Sequence, residues 1–127
     1  MDHTAITLSQ SEWYVMEALW SGSKTLMELV KELHNSAGWA KSTVTTMVRR
    51  MEEKGLITYD VEGRAKHFRP AVARQDVVAA ETDSLLSRAY HGSARLLMNT
   101  LVQQRQLTKS DIEELYAILQ KAEEDAK

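Results

Sequence analysis

The 127-residue chain has no cysteine, one proline and five glycines. Without cysteine there is neither a disulfide framework nor a thiolate metal site. So little proline and glycine, with aromatics at 6% and apolar residues at 43%, excludes a disordered chain and favours a mostly helical one. No apolar run approaches the ~18 residues needed to cross a bilayer. The opening "MDHTAITLSQ" lacks the basic start and apolar block of a signal peptide. The expected location is cytoplasmic. A formal charge of −2 also lacks the basic excess usual in nucleic-acid binders. That charge is unevenly spread: residues 41–69 are net +3, whereas residues 71–127 are net −2.

Helix signals are plentiful. Ser9 and Glu12 form a capping box before "EWYVMEALW", with Leu8 and Trp13 placed as a hydrophobic staple. Trp13, Met16, Leu19 and Trp20 then make an apolar stripe. "SGS" breaks the chain, and Thr25 with Glu28 repeats the box before Leu26, Leu29, Val30 and Leu33. "NSAGW" reads as a turn. Val44, Met47, Val48 and Met51 line a third helix, which Gly55 ends. Leu56–Val61 and Ala65–Arg69 flank "EGR" as a hairpin, closed by Pro70. The rest is helical: Val78, Thr82, Leu85, Leu86 and Ala89 share one face, and Ala94, Leu97, Met98 and Leu101 another. Thr108 and Asp111 cap a last helix carrying Ile112, Leu115, Tyr116 and Leu119.

The predicted fold is mainly α with a small β-hairpin wing. Residues 1–70 form a winged helix-turn-helix DNA-binding domain, and 71–127 a helical dimerisation region. The later helices are too few to close a core alone, so a second copy of the chain is their simplest partner.

The stretch "AKSTVTTMVRRMEEKG" carries the functional signal. With Val44 on the core side, Ser42, Thr46 and Arg49 point away, with Thr45 on one shoulder and Thr43 and Arg50 on the other. Solubility alone would favour Glu, Lys and Gln there. Short hydroxyls suit close approach to a major groove, where they reach phosphates, base edges or a thymine methyl, and arginines reach phosphate or guanine. Glu53 would repel phosphate, so the N-terminal half should enter the groove. Arg64, Lys66, His67 and Arg69 make the hairpin basic, as a wing along the DNA backbone would be. The plain alternative is a solvated helix face.

Other constellations carry less. His3, His34, His67 and His91 are scattered, with no metal-ligand spacing. Trp13, Trp20 and Trp39, like Met16, Met47 and Met51, suit a core. There is no nucleophile elbow and no glycine-rich phosphate loop. No catalytic residue, metal or cofactor is expected.

"LSQSEWYVMEALW", "STVTTMVRRMEEKGLI", "EGRAKHFRP" and "LTKSDIEELYAILQKAEE" together resemble the penicillinase-repressor family of bacterial transcription regulators, the BlaI/MecI/CopY type. The resemblance implies a homodimeric repressor binding a pseudo-palindromic TACA/TGTA-type operator. The recognition helix would be Ser42–Met51, with Ser42, Thr43, Thr45 and Thr46 nearest the bases, joined by Arg49, Arg50, Arg64 and Lys66 as DNA contacts. Thr45 replaces a basic residue of some relatives. In antibiotic-resistance members a membrane sensor and protease system triggers cleavage at an Asn-Phe bond. Here "LMNTLV" places Asn99–Thr100 at that point, without the Phe. The copper-responsive variant is excluded by the lack of cysteine. The alternative from another class is a winged-helix protein-interaction module without DNA binding, which the near-neutral charge would suit.

Overall fold

The computed structural model describes residues 7–126. Its elements run α1 (Gln10–Trp20), α2 (Leu26–Ala37), α3 (Lys41–Glu53), β1 (Ile57–Glu62), β2 (Ala65–Pro70), α4 (Arg74–Ala89), α5 (Ala94–Gln104) and α6 (Lys109–Asp125). This is the winged helix-turn-helix order followed by further helices. The chain divides into two compact units, Met1–Ser84 and Leu85–Lys127.

Side-chain caps set the helix starts. Ser9 Oγ accepts the Glu12 amide at 3.2 Å, and Glu12 Oε1 accepts the Ser9 amide at 2.8 Å. Thr25 with Glu28 and Thr108 with Asp111 repeat the box. The Thr25 amide and hydroxyl hold the Glu28 carboxyl below the usual glutamate range. Helix α2 continues through Asn35–Ala37, which reads as a turn in sequence. It stops only at Gly38, which takes a left-handed φ of 70° while the Gly38 amide closes on the His34 carbonyl.

The first unit's core gathers Met16 and Leu19 from α1, Leu29 and Leu33 from α2, and Val44, Val48 and Met51 from α3. Ile57, Phe68 and Val77 pack with them. On α1 the buried stripe is centred on Val15, Met16 and Leu19 rather than on the tryptophans. Trp13 and Trp20 lie half-buried at its edge, ring centroids 5.9 Å apart. Trp20 Nε1 donates to the Val72 carbonyl at 3.0 Å, a reason for a large amphipathic ring to stay at the rim. On α4, Val77 and Ala80 are buried, whereas Val78 is 37% exposed. The run "VVAA" is apolar at every position, so periodicity alone cannot choose the buried face.

The hairpin pairs in register from Ile57 with Pro70 to Glu62 with Ala65. Its two-residue turn is Gly63–Arg64, and Gly63 takes the positive φ of 65° that the first position of such a turn requires. Strand β2 has a second partner. The Phe68 amide donates to the Lys24 carbonyl at 2.8 Å, and the Lys24 amide to the Phe68 carbonyl at 3.0 Å. The break after α1 thus supplies one residue of a third strand. Lys24 Nζ meanwhile donates to the Ala18 carbonyl at 2.7 Å, closing the end of α1.

In the second unit neither α5 nor α6 has a buried residue. Leu101, Val102, Ile112, Tyr116, Ile118 and Leu119 are all exposed.

Candidate nucleic-acid interface

Helix α3 follows α2 after a turn of Gly38, Trp39 and Ala40. Trp39 fixes that turn: its ring meets Tyr14 of α1 edge-on at 5.8 Å, and its carbonyl lies 3.3 Å from His34 Nδ1. Val44, Val48 and Met51 anchor the inner side of α3. The outer side presents Ser42, Thr43, Thr45, Arg49 and Arg50, all exposed. Thr46 differs from expectation in being half-buried. Helical side chains lean toward the N-terminus, so Arg49 and Arg50, one turn later, shade this short residue. Thr45 Oγ1 donates to the Lys41 carbonyl at 2.9 Å, which leaves its oxygen free to accept.

The start of α3 is unlike those of α1, α2, α5 and α6. Each of those has a side-chain cap, whereas Ala40 at the head of α3 provides none. Its first amides therefore point outward without a side-chain acceptor, the arrangement that suits a phosphate.

Cross-strand partners share a face. Ile57, Tyr59 and Val61 lie on one face of the hairpin with Pro70, Phe68 and Lys66. Lys66 Nζ sits 4.3 Å from the Tyr59 ring centroid. On the other face Arg69 meets Asp60 at 2.9 Å, and His67 lies 3.7 Å from Glu62. Lys54 is likewise committed, 2.6 Å from the buried carboxylate of Glu12. Among the described residues, Lys41, Arg49, Arg50, Arg64 and Lys66 make no ion pair. Those five cations surround α3 and the wing.

A trough of ≈ 580 Å³ separates α3 from β2, and it brings Thr45 and Arg49 together with Arg64 and Lys66. Ser42, Thr43 and Arg50 lie on α3 outside that trough. Glu52 also lines it, an acid that sequence reasoning did not place there because it sits on a shoulder of α3. No group of three His, Asp or Glu side chains among the described residues converges as a metal site would. His3 lies outside the described residues. Asn99 is exposed on α5, and Thr100 Oγ1 donates to the Leu96 carbonyl at 3.1 Å.

The penicillinase repressor family matches residues 8–121. The penicillinase repressor of Bacillus licheniformis is 31% identical over 114 residues, covering 89% of each chain. The methicillin resistance regulatory protein MecI of Staphylococcus aureus (strain N315) is 25% identical over 122 residues, covering 95% of this chain and 99% of its own. Among solved structures, the monomeric form of Bacillus licheniformis BlaI bound to the blaP half-operator is 29% identical. It aligns with a TM-score of 0.50 over 56% of this chain and 93% of its own.

Proposed function

The chain belongs to the penicillinase repressor family, and on that premise we propose that it is a transcriptional repressor that binds operator DNA as a homodimer. The single observation that carries the reading is the group of five cations that make no ion pair among the described residues, set around an α3 whose outer face is short hydroxyls. Ser42, Thr43 and Thr45 approach the bases with Thr46 beside them, while Arg49, Arg50, Arg64 and Lys66 engage phosphate or guanine. The uncapped start of α3 receives a backbone phosphate. The BlaI structure with its half-operator supports the DNA reading.

Residues 1–70 carry the DNA contacts, and 71–127 pair two chains through the exposed apolar faces of α5 and α6. A pseudo-palindromic operator follows from the pairing, with half-sites separated by about one helical turn or a multiple of it, and the family resemblance makes those half-sites TACA/TGTA-type. The repressor works in the cytoplasm, where its operators are. Induction by a membrane sensor and protease system would act at Asn99–Thr100. That bond lies inside α5, so α5 must unwind before a protease can grip it.

Selection of the intact chain against random duplexes tests this. The expected outcome is an inverted repeat containing TACA/TGTA, separated by roughly 10 base pairs or a multiple. Recovery of no common motif would remove the repressor reading.

A further inference from the structure

We propose that the trough between α3 and the wing also binds a small amphipathic carboxylate, and that this ligand and operator DNA exclude one another. The site stands on its own geometry; its regulatory consequence rests on the DNA-binding reading above.

The trough combines two chemistries. Its floor is apolar: Leu26 from the first turn of α2, Val48 from α3 and Phe68 from β2, with Met27 of α2 extending it to the edge. Its rim carries Arg49, Arg64 and Lys66 against the single carboxylate of Glu52, a net charge of +2. A DNA backbone explains the rim but not the floor. Phosphate oxygens gain nothing from Met27, which is 59% exposed at the edge of the trough. A ligand with an anionic head and an apolar body satisfies both. The body covers Leu26 and Met27, and the carboxylate reaches the planar fork of Arg49 or Arg64. A few placed charges over an apolar lining are the usual make-up of a small-molecule site, and ≈ 580 Å³ lies within the usual size range.

Charge complementarity fixes the class. A neutral ligand would leave Arg49 and Arg64 without an anionic partner, and a cation would be repelled. A compact inorganic anion would leave the floor wet. Because the same three cations serve phosphate and carboxylate, occupation by one releases the other. The ligand would then weaken operator binding by a factor set by its concentration relative to its own Kd.

The test uses the full chain with 13C-methyl methionine, so that Met27 is read beside the buried Met16 and Met51. The probes are phenylbutyrate, phenylbutanol and phenylbutylammonium, which share one body and differ in head group. Phenylbutyrate should shift the Met27 methyl saturably and leave Met16 and Met51 in place. At ten times its Kd it should lower operator affinity about 10-fold. The alcohol and the amine should do neither. Met27→Gln should weaken displacement of DNA by phenylbutyrate by ~10-fold while keeping operator affinity within about 3-fold. No shift at Met27, an equal shift with the alcohol, or ligand and operator bound together would overturn the proposal. Ligand-free operator binding is measured in the same samples. Its loss beside an intact Met27 titration would sink the DNA reading and spare the ligand site.

Discussion

Replacing Lys54 by Met removes an ammonium from a buried carboxylate and keeps the aliphatic stem. Lys54 Nζ lies 2.6 Å from Glu12 Oε2, and the Glu12 side chain is only 6% exposed. The pair ties the end of α3 to the start of α1, holding one helix on the other. Hydrogen bonds to charged groups contribute about 1.5–3 kcal/mol, and breaking a fully buried pair costs about 3–5 kcal/mol. The Lys54 side chain is 61% exposed, so water can reach the carboxylate once the ammonium is gone. The lower range, about 1.5–3 kcal/mol at neutral pH, is therefore expected.

The pH dependence isolates the cause. Burial pushes the Glu12 pKa up, but the Lys54 ammonium with the Ser9 amide and hydroxyl outweighs it, and the carboxyl titrates below its usual range. A folded pKa below the unfolded one contributes stability that is complete above the unfolded pKa. That stability is lost as pH falls through the folded pKa. In Lys54→Met burial is less opposed and the pKa rises. The deficit should be full at pH 7, begin to shrink as pH falls through the raised Glu12 pKa of the variant, and close only below the lowered Glu12 pKa of the unsubstituted protein, where the carboxyl is protonated in both. What survives is the share from the α3 dipole, about 0.3–1 kcal/mol. Urea unfolding followed by tryptophan fluorescence measures it, and Lys54→Arg should recover most of the loss. Equal deficits at pH 7 and in acid would refute the argument.

Arg64→Ala should weaken operator and scrambled DNA alike and flatten the log–log salt slope by roughly 0.9, as titrations at several salt concentrations would show. Ser42→Ala should instead relax base preference by about 1–3 kcal/mol at one position of each half-site, read by competition with substituted operators. A fragment ending at Ser84 should unfold cooperatively, whereas one ending at Pro70 should not. The shorter piece loses the fully buried Val77 and the Val72 carbonyl that holds Trp20, and Trp fluorescence will report it. Leu119→Asp should shift sedimentation toward monomer and lower operator affinity, because it charges an α6 side chain that is 60% exposed and apolar.

Much of the frame is legible where the signal is local. The boxes at Ser9, Thr25 and Thr108, the Gly63 turn and the inner side of α3 depend on residues a few positions apart, and all form as the spacing indicates except that Met47 is only half-buried on α3. Long-range partners leave no such mark. Glu12 reads as a cap but is also the buried partner of Lys54, 42 residues away. Lys24 carries no mark in the sequence but supplies a strand residue to Phe68 and a cation to the end of α1. The face of α4 that the spacing indicates, led by Val78, is not the buried one, which carries Val77 and Ala80, because "VVAA" has no polar residue to mark the outside. At the interface the residue types on α3 were readable. The spatial meeting of Arg49 with Arg64 and Lys66, and the apolar floor between them, required the fold.

The most direct measurement is binding of the intact chain to a TACA/TGTA palindrome and to a scrambled duplex across a salt series. A sequence-specific repressor should prefer the palindrome by about 10³-fold or more, with affinity falling steeply as salt rises. Equal, weak and salt-insensitive binding to both duplexes would contradict it.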